Sequence, residues 1–405
     1  MTRLANDNHD VAPPEPTAMD ARIREMIAMD GPMSIATYMA HCLYDPNHGY
    51  YTTGVPFGAD GDFITAPDVS QMFGELIGIW CAATWQAMGS PKDFALVEMG
   101  PGRGTLMADV LRAASTVPGF NRAADIHMVE VSPRLAGLQR EALSAYSEAG
   151  FRISWVERFE DVSDKPLIFV ANELLDALVF QQFQKTDAGW QERLVGLDDA
   201  GDLTMVLGAG KLDEATLPGG HTDLPIGSIF ERSTAREALG MALAEAVVAR
   251  TGAALLIDYG NAAPGTGDTF QALERHGFVD PLTRCGVADL TSHVDFSAIY
   301  AVAQSVEGAF ATPPMEQGEW LVRMGLVERA RQLGQDKSAE QQARIRLDME
   351  RLAGDGDGTR AGAGAGGMGS LFKVMMIAQK GLMPPPFEDP DAKPAQYAKK
   401  DEGNV

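Results

Sequence analysis

Positive charge is what this 405-residue sequence is short of: 33 lysines and arginines face 56 aspartates and glutamates, a formal net charge of −23. Such a chain repels phosphate backbones and anionic headgroups, which excludes general nucleic-acid binding and docking on acidic membranes. It favours solubility, or a partner that presents positive charge. Cysteine is also scarce. Cys42, Cys81 and Cys285 lie far apart, without C-x-x-C spacing. That excludes a disulfide framework and a zinc ribbon, and reads as reduced thiols in a cytosolic chain. No apolar run reaches the roughly 18–20 residues of a membrane helix; the best, 247–257, is short and carries Arg250. The first thirty residues hold six acidic side chains against Arg3, Arg22 and Arg24, the reverse of a secretory signal or a mitochondrial presequence. A bacterial cytoplasmic location without membrane insertion is the expectation. G-x-x-x-x-G-K-[ST], H-E-x-x-H and G-x-S-x-G are all missing. The seven histidines are scattered, so no metal site is expected.

What is present is an alternation. After a disordered stretch over 1–17, a helical and lid region is expected over 18–90. Its helices begin at Thr17, after Ser34 as N-cap to about Leu43, and from Ser70 to Met88, with an irregular Tyr44–Asp68 between them. Residues 94–99, 126–131, 152–156, 166–171 and 253–258 then read as short buried strands. Helices over 105–114, 133–149 and 234–250 alternate with them. That rhythm means an α/β domain with a mainly parallel sheet. A β-rich insertion with a hairpin around Asp198–Asp202 covers about 180–230. The core, 91–380, holds a flexible Gly/Ala loop over 354–369 and a late strand from Ser370. A disordered tail follows over 381–405.

Glu98-Met99-Gly100-Pro101-Gly102-Arg103-Gly104-Thr105 ends one strand and opens a helix. Glycines there allow a tight turn and close approach of the backbone to a ligand. The G-x-G-x-x-G dinucleotide spacing fails, because Thr105 or Met107 stands where its third glycine belongs. E-x-G-x-G-x-G is instead the form seen in S-adenosylmethionine (SAM) methyltransferases. Glu130, at the end of the next strand, is placed to accept ribose hydroxyl protons. Asn172, Glu173 and Asp176 close the fourth strand. Two carboxylates three apart on a starting helix could clamp a guanidinium, or the segment could simply cap that helix. Thr65, Asp68 and Gln71 belong either to a structural turn or to a lid pointing into the cofactor site. His293, between Asp289 and Asp295, is either a packed histidine or a substrate positioner. Asp258 closes the fifth strand on the same side. The N-P-P-Y motif of DNA amino-methylating enzymes is absent.

Segments 61–75, 98–106, 129–134, 172–182, 257–260, 267–271, 288–296 and 368–374 together resemble the MidA-like family of SAM-dependent methyltransferases. The resemblance spans about residues 20–380. It implies a class I, Rossmann-like methyltransferase sheet with an N-terminal helical cap and an inserted β-rich segment. This chain would be the bacterial counterpart of a mitochondrial complex I assembly factor known as a protein arginine methyltransferase. By position, Glu98, Gly100, Gly102, Gly104, Glu130 and Asn172 would bind SAM. Glu173, Asp176 and His293 would be catalytic, with Thr65, Asp68, Gln71, Asp258 and Asp295 facing substrate or lid. The partner the resemblance implies is a protein presenting an arginine, such as a complex I subunit. A small-molecule methyltransferase and a non-catalytic SAM-binding assembly chaperone are the alternatives.

Overall fold

The computed structural model describes residues 15–53, 65–219, 223–355 and 367–388. Residues 54–64 of the sequence-predicted helical and lid region, the centre of the Gly/Ala loop and the chain after residue 388 lie outside them. Five parallel strands, Phe94–Met99, Ala124–Val129, Arg152–Val156, Leu167–Asn172 and Gly252–Asn261, are called the first to fifth core strands in chain order. Phe372–Gln379 pairs antiparallel with the fifth, from Ala253↔Ala378 to Tyr259↔Phe372. Across the sheet these six run late strand, fifth, fourth, first, second, third. The order in which the chain lays down its strands therefore reverses between the first and fourth strands, which stay parallel, and ligands bind outside the carboxyl ends of strands at such a switch point.

The first strand is buried on both faces, with Phe94 and Leu96 in one apolar cluster and Ala95 and Val97 in the other. This is why it reads as a continuous apolar run. The helix Gln71–Ala87 is capped by Ser70, whose Oγ accepts from Met72 N–H. Thr234–Arg250 is capped by Ser233. The 180–230 segment forms its own sheet: Gly189–Leu197 lies between Gln181–Thr186 and the Leu203–Lys211 hairpin partner. Met33–Ser34 from the N-terminal region joins that sheet. Met19, Ile23, Ile35 and Tyr38 share a core with Phe180, Val195 and Leu290, so the N-terminal helices and the insertion pack as one cap.

Several expectations change. Thr17 is not disordered: it forms a capping box with Asp20, and its hydroxyl donates to Cys285 C=O at 2.7 Å. The start of the sequence-predicted tail is not disordered: Leu382 and Phe387 are buried in the core. The 133–149 helix breaks at Leu143 into Pro133–Ala142 and Ser144–Glu148. Helices Gln317–Arg323, Leu326–Leu333 and Ala339–Ala353 cover one sheet face through Trp320, Leu326 and Leu352. None of the described helices is long and apolar enough to cross a membrane.

Candidate functional site

The turn after the first strand is built by its glycines. Gly100, Gly102 and Gly104 have φ of 69°, 53° and 82°, a region that side chains with a Cβ avoid. Packing adds to this: a Cβ on Gly100 would lie 2.8 Å from Leu174 Cδ1, and one on Gly104 3.3 Å from Gln139 Cα. Glu98, Gly100, Gly102, Asn172 and Glu173 line one cleft, which Thr65 and Asp68 border from the cap side. Glu98 is buried, and burial, opposed by the Met107 N–H hydrogen bond and reinforced by Glu130, pushes its carboxyl up to about 8. Glu98 Oε2 and Asn172 Oδ1 are buried without a protein hydrogen bond. Buried polar atoms are rarely left so. Two orphaned acceptors in a glycine-lined cleft fit a cofactor that brings its own donors.

Glu130 sits one residue past the second strand. Its Oε1 accepts from Ser132 N–H at 2.7 Å and its Oε2 from Gln139 Nε2 at 2.9 Å. Burial nevertheless raises its pKa. Each oxygen keeps a lone pair for a ligand hydroxyl. Gln139 also donates to Gly102 C=O at 2.9 Å and accepts from Trp155 Nε1 at 2.9 Å. It therefore ties the glycine turn to Glu130. The sequence reading missed it. Its signal was a glutamine on the buried face of its helix, beside Leu135 and Ala136.

The fourth strand does not continue into a helix. Glu173 takes φ +50° and residues 173–178 form an irregular turn. Neither a helical pair of carboxylates nor Asn172 as a helix cap survives. The reason is tertiary: Leu175 and Asp176 N–H donate to Asp258 Oδ2 at 2.8 and 3.1 Å. Glu173 Oε1 accepts from Ala66 N–H and Asn172 Nδ2, each at 3.1 Å. Burial, against those two donors and with help from Asp176 and Asp68, pushes its carboxyl up to about 7. Asp176 does not line the glycine cleft; its carboxylate accepts from Tyr259 and from Ala177 N–H, and burial raises its pKa. From the cap, Tyr44 donates to Ala177 C=O at 2.9 Å and Tyr51 to Asp289 Oδ1 at 2.9 Å. Their rings stack 5.8 Å apart.

Other expected site residues lie elsewhere. Asp258 is fully buried and grips the exit turn instead of lining a cleft. Gln71 is exposed and donates to Glu75 Oε1, because the Ser70 cap starts its helix with that face outward. His293 and Asp295 line a separate cavity of about 230 Å³, between the inserted sheet and the helices Thr234–Arg250 and Phe296–Gln304. Asp295 caps the second helix through Ser297 and Ala298 N–H. Burial lowers the His293 pKa, with Arg236 and Lys373 adding to the shift, so its ring is neutral at pH 7. No group of three or more potential ligands for a metal ion occurs among the described residues.

The sequence pattern of a family described as "Putative S-adenosyl-L-methionine-dependent methyltransferase" matches residues 76–315. The chain is 37% identical over 357 residues to a Drosophila melanogaster protein named "Protein arginine methyltransferase NDUFAF7 homolog, mitochondrial", covering 82% of this chain and 80% of that one. It is 35% identical over 359 residues to the Homo sapiens protein "Protein arginine methyltransferase NDUFAF7, mitochondrial", covering 82% and 78%. A crystal structure from Burkholderia thailandensis bound to S-adenosyl-homocysteine superposes with TM-score 0.75 at 27% identity, covering 91% of this chain and 95% of that one. With the α/β sheet, the switch-point cleft and its glycine turn, these matches show that the chain belongs to the MidA-like family of S-adenosylmethionine-dependent methyltransferases and is an enzyme of that class.

Proposed function

We propose that this methyltransferase acts on an arginine side chain of a protein substrate, and that Glu173 receives the guanidinium. The observation that carries the reading is the Glu173 carboxyl itself. It lies in the same cleft as the glycine turn, at the end of the strand next to it, with a pKa raised to about 7. The relatives in fly and human are named as protein arginine methyltransferases. A respiratory complex I subunit is the substrate implied by the family resemblance. The relatives' names place them in mitochondria; for this chain the acidic composition and the reduced thiols support a bacterial cytoplasmic location.

In this reading Glu98, Gly100, Gly102 and Asn172 hold SAM, with Gly104 shaping the turn and Glu130 on the ribose. The cofactor supplies a sulfonium methyl group that is already electrophilic. The chain's task is therefore alignment. Ionised Glu173 localises the guanidinium charge and orients one nitrogen. One proton leaves that nitrogen for each methyl that arrives, and a carboxyl near pH 7 is suited to take it. Neutral His293 positions substrate in the neighbouring cavity without donating a proton. Residues 18–90 and the inserted segment form the cap over the cofactor.

The test is incubation with methyl-labelled SAM and dialysed cell lysate. The expected result is a labelled protein band whose acid hydrolysate contains methylarginine. Label that appears only when undialysed lysate is supplied, and then only in small molecules, would instead identify a small-molecule methyltransferase. SAM binding without any transfer would identify an assembly chaperone.

A further inference from the structure

We propose that Arg236 and Asp258 are positioning residues that clamp the exit turn of the fourth strand from opposite sides and thereby hold Glu173 toward the acceptor. The proposal rests on the reading of Glu173 given above. The two groups act on the same pair of residues. Asp258 Oδ2 takes the N–H groups of Leu175 at 2.8 Å and Asp176 at 3.1 Å. Arg236 takes their carbonyls, donating from Nε to Leu175 C=O at 2.6 Å and from Nη2 to Asp176 C=O at 3.1 Å. A carboxylate thus holds the donors of the turn and a guanidinium holds its acceptors.

Arg236 also reaches the second segment expected to face substrate. Its Nη1 donates to His293 C=O at 2.8 Å and its Nη2 to Ser292 Oγ at 2.7 Å. One side chain therefore couples the Glu173 turn to the His293 segment, although the two are far apart in sequence. Asp258 completes its coordination with Tyr259 N–H at 2.8 Å.

Plain stabilisation is a poor account of this arrangement. Arg236 is 5% exposed and Asp258 0%. Arg236 stands on the buried stripe of its helix with Gly240, Leu243, Ala244 and Val247, where an apolar residue would pack at no electrostatic cost. Replacing buried charges with packed apolar groups is often neutral or stabilising. What an apolar residue cannot do is fix the carbonyls of two loops in one plane, which the rigid guanidinium fork does. The turn needs such fixing because Glu173 is a non-glycine residue at φ +50°, a conformation that persists only when its surroundings impose it.

The variants Arg236→Lys and Arg236→Gly test the clamp in the full-length protein bound to S-adenosyl-homocysteine. Lysine keeps the charge and loses the fork. In Arg236→Lys, amide hydrogen exchange at Leu175 and Asp176 should accelerate about tenfold or more, with S-adenosyl-homocysteine affinity within about threefold of wild type. Methyl transfer to protein should fall about 100-fold, as expected for displacement of an aligned group by an ångström, and the loss should appear in kcat. In Arg236→Gly, millimolar guanidinium chloride should restore transfer and the same concentration of urea should not. Selective rescue shows that the guanidinium contacts are what transfer requires, while faster exchange at Leu175 and Asp176 with unchanged cofactor affinity separates positioning from general destabilisation. Unchanged exchange at Leu175 and Asp176, cofactor affinity falling in step with transfer, or equal rescue by urea would each overturn the clamp. A wild-type enzyme that labels no protein defeats the proposed acceptor, and the exchange measurement then decides the clamp on its own.

Discussion

Two turns meet at the switch point of this sheet, and they are made in opposite ways. The turn after the first strand owes its shape to residue type: three glycines adopt positive φ without strain. The turn after the fourth strand contains no glycine. Glu173 adopts positive φ there because Asp258 and Arg236, both remote in sequence, hold the peptides that follow it. The turns touch where Leu174 packs over Gly100. The proposed cofactor side is thus written locally, whereas the proposed acceptor side is assembled from four separate segments. Cofactor binding and methyl transfer should therefore be separable by mutation.

The largest separation is expected from Glu173→Gln. Methyl transfer should drop about 100-fold or more, the scale of losing a charge aimed at the reacting group, while calorimetry finds SAM affinity nearly unchanged. Gly102→Val is the complement. Forcing a β-branched residue to positive φ costs ~1–3 kcal/mol, which should weaken S-adenosyl-homocysteine binding by about 10- to 100-fold. If both variants lost binding equally, the division between the two turns would collapse.

Acidity sharpens the same comparison. Transfer should rise with pH through about 7 as the Glu173 carboxyl ionises, and this limb should vanish in Glu173→Gln. Stability should move the other way. Glu98 and Glu173 have folded-state values of about 8 and about 7, above the ordinary glutamate value, so the folded state binds more protons than the unfolded chain. Their stabilising contribution is present at low pH and lost as pH rises from about 4.3 through 7 to 8. Denaturation midpoints without cofactor should record that decline, and Glu98→Gln should flatten it. The smallest effect is expected from Gln139→Ala. It leaves Trp155 Nε1 without its partner, at a cost of ~1–3 kcal/mol, and should loosen cofactor binding only a few-fold.

Much of the frame was legible in sequence because its signals are local. The strand Phe94–Met99 and the helices Thr105–Ala114 and Thr234–Arg250 fall on the expected residues, the strand marked by an apolar run and the helices by an apolar stripe with Gly104 or Ser233 at the start. Ser34 and Ser70 cap the helices they precede. Glu98, Gly100, Gly102 and Asn172 come together in one cleft, since each ends or follows a strand bordering the switch point. The errors have different causes. A helix after Asn172 was reasonable from Glu173 and Asp176 alone, and only the buried carboxylate of Asp258 forbids it. Gln71 turned outward because Ser70 set the rotation of its helix. The helices over 317–353 were missed because Gly and polar residues interrupt their apolar spacing.

The alternation of strands and helices, the glycine turn and the acidic residues around it can be read from the chain before it folds. These depend on φ preference and side-chain period, which neighbouring residues carry. Tertiary structure alone decided that Glu173 enters the cofactor cleft, that Asp176 and Asp258 do not, and that His293 opens onto a separate cavity. Those outcomes depend on buried charges finding distant backbone partners. A buried guanidinium or carboxylate left unpaired is too costly to keep, so Arg236 and Asp258 draw remote loops into the geometry that satisfies them.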